Sequence, residues 1–214
     1  MEVKQDLLFC TPLWRLKLEE HVKYLNKICD PYIKNKRKDN MTQIKKQKTF
    51  HKKMKQDMGL SHHSLNLISD INFKFFIDIV NDMSHRFMTE SGFNIEGHTP
   101  YLTELWVQEF SKNGGGHHSL HNHWNQQVSG FYFLKASKNT SCPKFVDPRP
   151  GALMTKILPK NQKEITHASS EAYYTVSPGD MIIFPGYLPH EFTFDYGIEP
   201  FRFIHWNMQY VKNV

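Results

Sequence analysis

Hydrophobic spacing changes character near residue 100. Before that point, apolar residues recur with helical period. Val22, Leu25, Ile28 and Cys29 predict a helix over 18–35. Phe73, Phe76, Ile77, Ile79, Val80 and Met83 form an apolar stripe in a second amphipathic stretch, 64–89. Residues 7–17 alternate loosely and predict a short strand interrupted by Pro12. Residues 36–58 are polar and lysine-rich and read as a loop or irregular arm. From Tyr101 onward the period is two. Strands are expected at 101–110, 128–134, 144–147, 172–176, 180–184, 190–195 and 201–211. Turn chemistry separates them: the glycines 114–116, residues 147–151 (Asp-Pro-Arg-Pro-Gly), Ser177-Pro178-Gly179, and Pro185-Gly186.

Many short strands behind two helical segments predict a mainly β fold. The expected architecture is a double-sheet jelly roll with the N-terminal helices packed on one sheet. A chain of 214 residues can bury one good core. One domain over 1–214 is therefore expected, with a helical part to about residue 100 and a β core over about 101–211. No internal repeat is visible.

Charge modifies this picture in one place. The net charge is +6, but residues 34–55 alone contribute +9 and the remainder is −3. As a working surface, this arm would make the chain a non-enzymatic module that binds a polyanion such as nucleic acid through salt-sensitive contacts. Only Phe50 interleaves the lysines, so a solvated connection is the plainer reading. The three cysteines, Cys10, Cys29 and Cys142, form no Cys-x-x-Cys pair. They fit a reducing compartment, and a cytoplasmic location is expected. The first residues carry acids where a secretory signal would carry bases. No run approaches the roughly 18 apolar residues of a membrane span, so no membrane is expected as a partner.

Candidate chemistry concentrates in residues 117–123, which hold four of the chain's thirteen histidines. Side chains two apart on a strand share a face, so His121 and His123 can aim at one point. Two converging imidazoles make half of a metal site. His190 follows a proline-stiffened loop and opens a strand on the same face as Phe192 and Phe194. It is either a third ligand or a core histidine bonded to a carbonyl. Arg202 shares a strand face with Ile204, Trp206, Met208 and Tyr210. A guanidinium in such a row requires an anion, supplied by an internal carboxylate or by a ligand's carboxylate.

These residues, in this order, carry a resemblance. His121-x-His123, Ser129-Gly130-Phe131-Tyr132, Pro178-Gly179-Asp180, Phe184-Pro185, Leu188-Pro189-His190, Arg202 and Asn207 resemble the 2-oxoglutarate/Fe(II)-dependent oxygenase superfamily. More narrowly, they resemble a group of oxygenases common in bacteria and tailed phages, on the prolyl-hydroxylase-like branch. If the chain is phage-encoded, its cytoplasm is that of the host. The resemblance covers roughly residues 101–211, and Thr11-Pro12-Leu13-Trp14 also fits it.

The resemblance implies a double-stranded β-helix with iron at its open end and His121 and His190 as ligands. Position 123 is a carboxylate in most of the superfamily. Here His123 either ligates in a three-histidine set or stands behind a water that fills the position. Arg202 takes the place of the residue that holds the C5 carboxylate of 2-oxoglutarate. Ser129, Tyr132 and Asn207 are candidates for further cosubstrate contacts. The implied cofactors are Fe(II), 2-oxoglutarate and O2, with ascorbate as a reductant. The implied reaction hydroxylates a prime substrate and releases succinate and CO2. A protein residue is the favoured substrate by analogy, with a small molecule or nucleic acid as alternatives. The competing reading is a cupin-like metalloprotein of other chemistry, using the same three histidines without 2-oxoglutarate. The sequence gives no oligomeric state.

Overall fold

The computed structural model describes residues 2–46, 58–154, 157–197 and 199–213. In chain order the elements are β1 (Trp14–Lys17), α1 (Val22–Lys46), β2 (Ser61–His63), α2 (Lys74–Glu90), β3 (His98–Phe110), β4 (His118–His121), β5 (Val128–Lys135), β6 (Pro143–Val146), α3 (Pro150–Met154), β7 (Glu171–Tyr173), β8 (Asp180–Pro185), β9 (His190–Phe192) and β10 (Arg202–Lys212). Each strand expected from the period-two pattern is present. The strands form a six-stranded sheet, β1-β8-β5-β10-β3-β2, and a four-stranded sheet, β4-β9-β6-β7. Every pairing is antiparallel. The fold is a double-stranded β-helix with helices on one side.

The larger sheet is apolar on both faces because both faces are covered. One face packs against α1 and α2 through Leu25, Cys29, Phe76, Tyr132, Ile204, Trp206 and Met208. Trp206 lies across Gly130, where an added Cβ would come within 2.1 Å of the indole. Glycine is therefore required there for close packing. The other face meets the smaller sheet across a phenylalanine-rich core that includes Phe131, Phe133, Phe145, Phe184, Phe192 and Phe203.

Two expectations change. The N-terminal part is not only helical, since β1 and β2 add the two edge strands of the larger sheet. And α1 runs to Lys46, through half of the expected loop. Lysine and arginine are good helix formers, and the helix is tied to β2: Arg37 Nε donates to His62 and Asn40 Nδ2 to the Ser61 carbonyl. The rest of the lysine-rich arm, 47–57, lies outside the described residues.

Candidate metal centre

Strand pairing builds the centre. β4 and β9 are antiparallel neighbours, and His121 lies directly opposite His190. Beyond β4 the chain turns inward, fixed by the His123 amide donating to the Gly186 carbonyl at 2.8 Å. The ring centroids are 4.4 Å apart for His121–His190 and 5.0 Å for both His121–His123 and His123–His190. One nitrogen from each of the three lies within 4.8 Å of the others. The three expected ligands are thus brought together.

Their hydrogen bonds assign the ring tautomers. His121 Nδ1 faces the Ser119 carbonyl at 2.7 Å, and His190 Nδ1 faces the Leu188 carbonyl at 2.9 Å. A carbonyl only accepts, so both rings carry their proton on Nδ1 and present the Nε2 lone pair to the centre. His123 differs. Its Nδ1 lies 3.1 Å from Asn207 Nδ2, which also donates to Glu104 at 2.7 Å. Asn207 Oδ1 meanwhile accepts from Ser129 Oγ. This network fixes the amide's orientation, so His123 Nδ1 accepts and its Nε2 carries hydrogen. The Nε2 atoms of His123 and His190 are buried and have no protein partner.

Burial holds the His190 and His123 rings neutral. His190 is pushed down to about 3, chiefly by desolvation and then by the neighbouring histidines. His123 falls to about 4 for the same reasons, and so does His118. The inward lone pairs of His121 and His190 suit Fe(II), and zinc as well. The donor set fits a divalent metal.

The structure corrects two expected site residues. Arg202 points to the helix side of the larger sheet, away from the histidines. Its Nε donates to Glu109 at 2.7 Å, and its Nη1 to Asp30 at 2.7 Å and Asn26 at 3.1 Å. Internal carboxylates therefore occupy the guanidinium. Tyr132 likewise faces the helices, and its hydroxyl donates to the Leu18 carbonyl. Both lie on residues whose alternation directs them outward. Ser129 and Asn207 do face the centre.

Sequence reasoning missed His205. It is buried on β10 between Arg202 and Asn207, on the face opposite Arg202. Its ring is 4.8 Å from His123, 4.5 Å from Trp106 and 5.2 Å from Phe131. Glu104, His123 and His205 form a second group of converging ligand atoms. The signal was available: Phe203, His205 and Asn207 alternate with the row containing Arg202. His118 stands three residues from His121, which is not strand spacing. A register irregularity between His118 and His121 brings their rings to 4.5 Å.

Comparison with known proteins now bears on this geometry. Residues 104–198 match the profile of a family described as "Putative 2OG-Fe(II) oxygenase". The matched stretch, under half of the chain, is similar to the 2-oxoglutarate/Fe(II)-dependent oxygenase superfamily. That superfamily uses Fe(II) and 2-oxoglutarate with dioxygen. Three solved structures share the fold. The carbocyclase SnoK of nogalamycin biosynthesis has a TM-score of 0.57 at 8% identity, covering 94% of this chain and 80% of that one. EvdO2 from Micromonospora carbonacea var. aurantiaca has 0.54 at 13%, covering 100% and 96%. A Pseudomonas putida prolyl-4-hydroxylase has 0.52 at 9%, covering 94% and 95%. Two further matched oxygenase-fold structures are spanned over only 60% and 58% of their length. No curated protein sequence matches the chain. Among the described residues, no helix is long and apolar enough to cross a membrane.

Proposed function

We propose that this chain is an Fe(II)- and 2-oxoglutarate-dependent oxygenase that hydroxylates its prime substrate. The carrying observation is the convergence of His121, His123 and His190, with one nitrogen of each within 4.8 Å of the others. His121 and His190 hold the ion through Nε2. The Ser119 and Leu188 carbonyls orient these two rings and raise their basicity. His123 closes the same face, positioned by Asn207. Bound Fe(II) with 2-oxoglutarate and dioxygen supplies the oxidising chemistry, with release of succinate and CO2. The protein's part is to orient these groups and exclude water. The wall formed by Phe131, Phe145 and Phe184 stands within 6.1 Å of the His190 ring centroid and serves the second purpose.

A protein side chain is the favoured substrate class. The likeness in fold to a prolyl-4-hydroxylase supports this choice. So does the aromatic rim around the centre: Trp124 and Tyr187 adjoin the linked His123 and Gly186 and are 87% and 50% exposed. Aromatic faces of this kind suit proline rings and backbone amides.

The test is succinate release from 2-oxoglutarate by purified protein with Fe(II) and ascorbate, alongside His121→Ala and His190→Ala. Turnover in the wild type and its loss in both variants is expected. No turnover, together with no 2-oxoglutarate binding by the metal-loaded protein, overturns the reading.

A further inference from the structure

A second set of metal-ligating side chains adjoins the histidine centre. In the ladder between β10 and β3, Asn207 lies opposite Glu104 and His205 lies opposite Trp106. Residues two apart on a strand share a face. Glu104 and His205 are therefore diagonal neighbours on the side of the sheet that carries the centre, within reach of each other's side chains. One ligand atom from each of Glu104, His123 and His205 lies within 4.8 Å of the other two.

We propose that Glu104, His123 and His205 form a second divalent-metal site, which takes a first-row transition ion such as zinc. It is distinct from the position between His121 and His190, and it requires no cosubstrate. Three observations carry it.

The first is His205 itself. It is 1% exposed, and neither ring nitrogen has a partner. A buried polar atom without a partner is rare and calls for a specific explanation. Burial keeps the ring neutral, so one of its nitrogens offers a lone pair.

The second is the tautomer of His123. Asn207 Nδ2 donates to His123 Nδ1 at 3.1 Å and to the Glu104 carboxylate at 2.7 Å. An imidazole lone pair and a carboxylate oxygen thus converge on one amide nitrogen, an arrangement that also suits a cation. A neutral imidazole has a single accepting nitrogen. On His123 it is directed to the Glu104 side, whereas the lone pairs of His121 and His190 are directed to the first centre. An ion replaces the amide hydrogen on Nδ1, and Asn207 keeps its bond from Ser129. Ligand atoms bound tetrahedrally to zinc stand about 3.4 Å apart, so the set closes by about 1 Å. Glu104 is exposed, and its side chain is free to supply that movement.

The third is charge. A divalent ion on two neutral imidazoles and one carboxylate carries +1, against +2 on His121, His123 and His190. Beside a buried histidine the lower charge is the less costly one. Two histidines and a carboxylate are a ligand set of zinc and Fe(II) centres alike.

The test titrates metal-free, full-length protein with Zn(II) against a chelating dye and counts the tightly bound equivalents. Wild type should take two. Glu104→Gln and His205→Gln should each take one, the lost site weakening by more than about 100-fold, the most that a residue supporting a ligand from behind is worth. His190→Ala should also take one, and the double variant His190→Ala/Glu104→Gln none. Because Glu104 is exposed, Glu104→Gln keeps the test decisive even where circular dichroism shows His205→Gln to be misfolded. The proposal is overturned if either folded variant keeps both equivalents, if wild type takes none, or if wild type takes one that His190→Ala loses. A single equivalent that Glu104→Gln loses and His190→Ala keeps upholds this site and overturns the first centre instead.

Discussion

Strand β10 divides the molecule. Its even-numbered residues Arg202, Ile204, Trp206 and Met208 face the helices, and the polar atoms of Arg202 and Trp206 have partners there, while the Tyr210 hydroxyl farther along does not. The guanidinium has carboxylates, and Trp206 Nε1 donates to Ser84. The odd-numbered residues Phe203, His205 and Asn207 face the other sheet, and His205 leaves both of its nitrogens unpartnered. Satisfied polar groups stabilise a fold; unsatisfied buried ones point to chemistry. Two environments thus alternate residue by residue along one strand, and a shift of one residue moves a side chain from structure to site.

Acid should separate them most. In the metal-free protein, His190 and His123 have folded values of about 3 and about 4. The unfolded chain takes up protons near the ordinary histidine value of about 6.5. Both folded values are depressed, so the unfolded state binds more protons in this window and stability falls as pH drops. The loss begins near pH 6.5 and reaches about 2 kcal/mol per histidine by pH 5. Urea midpoints at pH 7.5 and pH 5.0 measure it. His190→Phe should remove one histidine's share of the dependence, leaving that of His123 and His118, whereas Arg202→Met should leave its slope unchanged. An equal slope in His190→Phe would show that the acid sensitivity lies elsewhere.

The helix face should break under a different change. Glu109 is 2% exposed and holds Arg202 and Lys135. Glu109→Ala strips Arg202 of its buried carboxylate and should cost about 3 kcal/mol, the low end for removing one partner of a buried pair. Asp30 remains on Nη1 and limits the loss. Fe(II) affinity of the folded variant should match wild type within about twofold, since the centre lies across the sheet. If Glu109→Ala instead weakens Fe(II) or 2-oxo acid binding at unchanged stability, the two faces are coupled.

The same alternation explains what the sequence could disclose. Period-two spacing located the strands from Tyr101 onward and brought His121, His123 and His190 into candidacy, because a strand's side-chain direction is local information. It also grouped Arg202 with Trp206 and Met208 correctly. Which face of that strand meets the metal is not local: it depends on where β4 and β9 pack, and there resemblance misassigned Arg202. Tyr132 failed for the same reason. The helical reach of α1 to Lys46 was hidden because its anchor, the bond from Asn40 to Ser61, joins positions 21 apart. His118 depended on an irregularity between paired strands that single-chain spacing does not reveal.

The smallest expected effect concerns His123 alone and runs in the opposite direction to damage. Asn207 Nδ2 donates to His123 Nδ1 and so places the ring's hydrogen on Nε2, toward the metal. Ligation through Nε2 requires the other tautomer, with the hydrogen on Nδ1 and an acceptor facing it. Asn207→Asp supplies that acceptor in nearly the same volume. Glu104 is exposed on β3 and can swing its carboxylate to water, which relieves the new like-charge contact. A carboxylate behind a ligating imidazole fixes its orientation and raises its basicity, typically by about tenfold or more in metal affinity. The Asp variant should therefore bind Fe(II) about tenfold more tightly than wild type, as read by competition with a chelating dye. His123→Ala should abolish this gain, while costing the wild-type background less affinity than His121→Ala or His190→Ala, whose lone pairs already face the centre. Unchanged or weakened affinity in Asn207→Asp would mean that His123 does not switch tautomer, and that the ion rests on His121 and His190 with His123 only donating beside it.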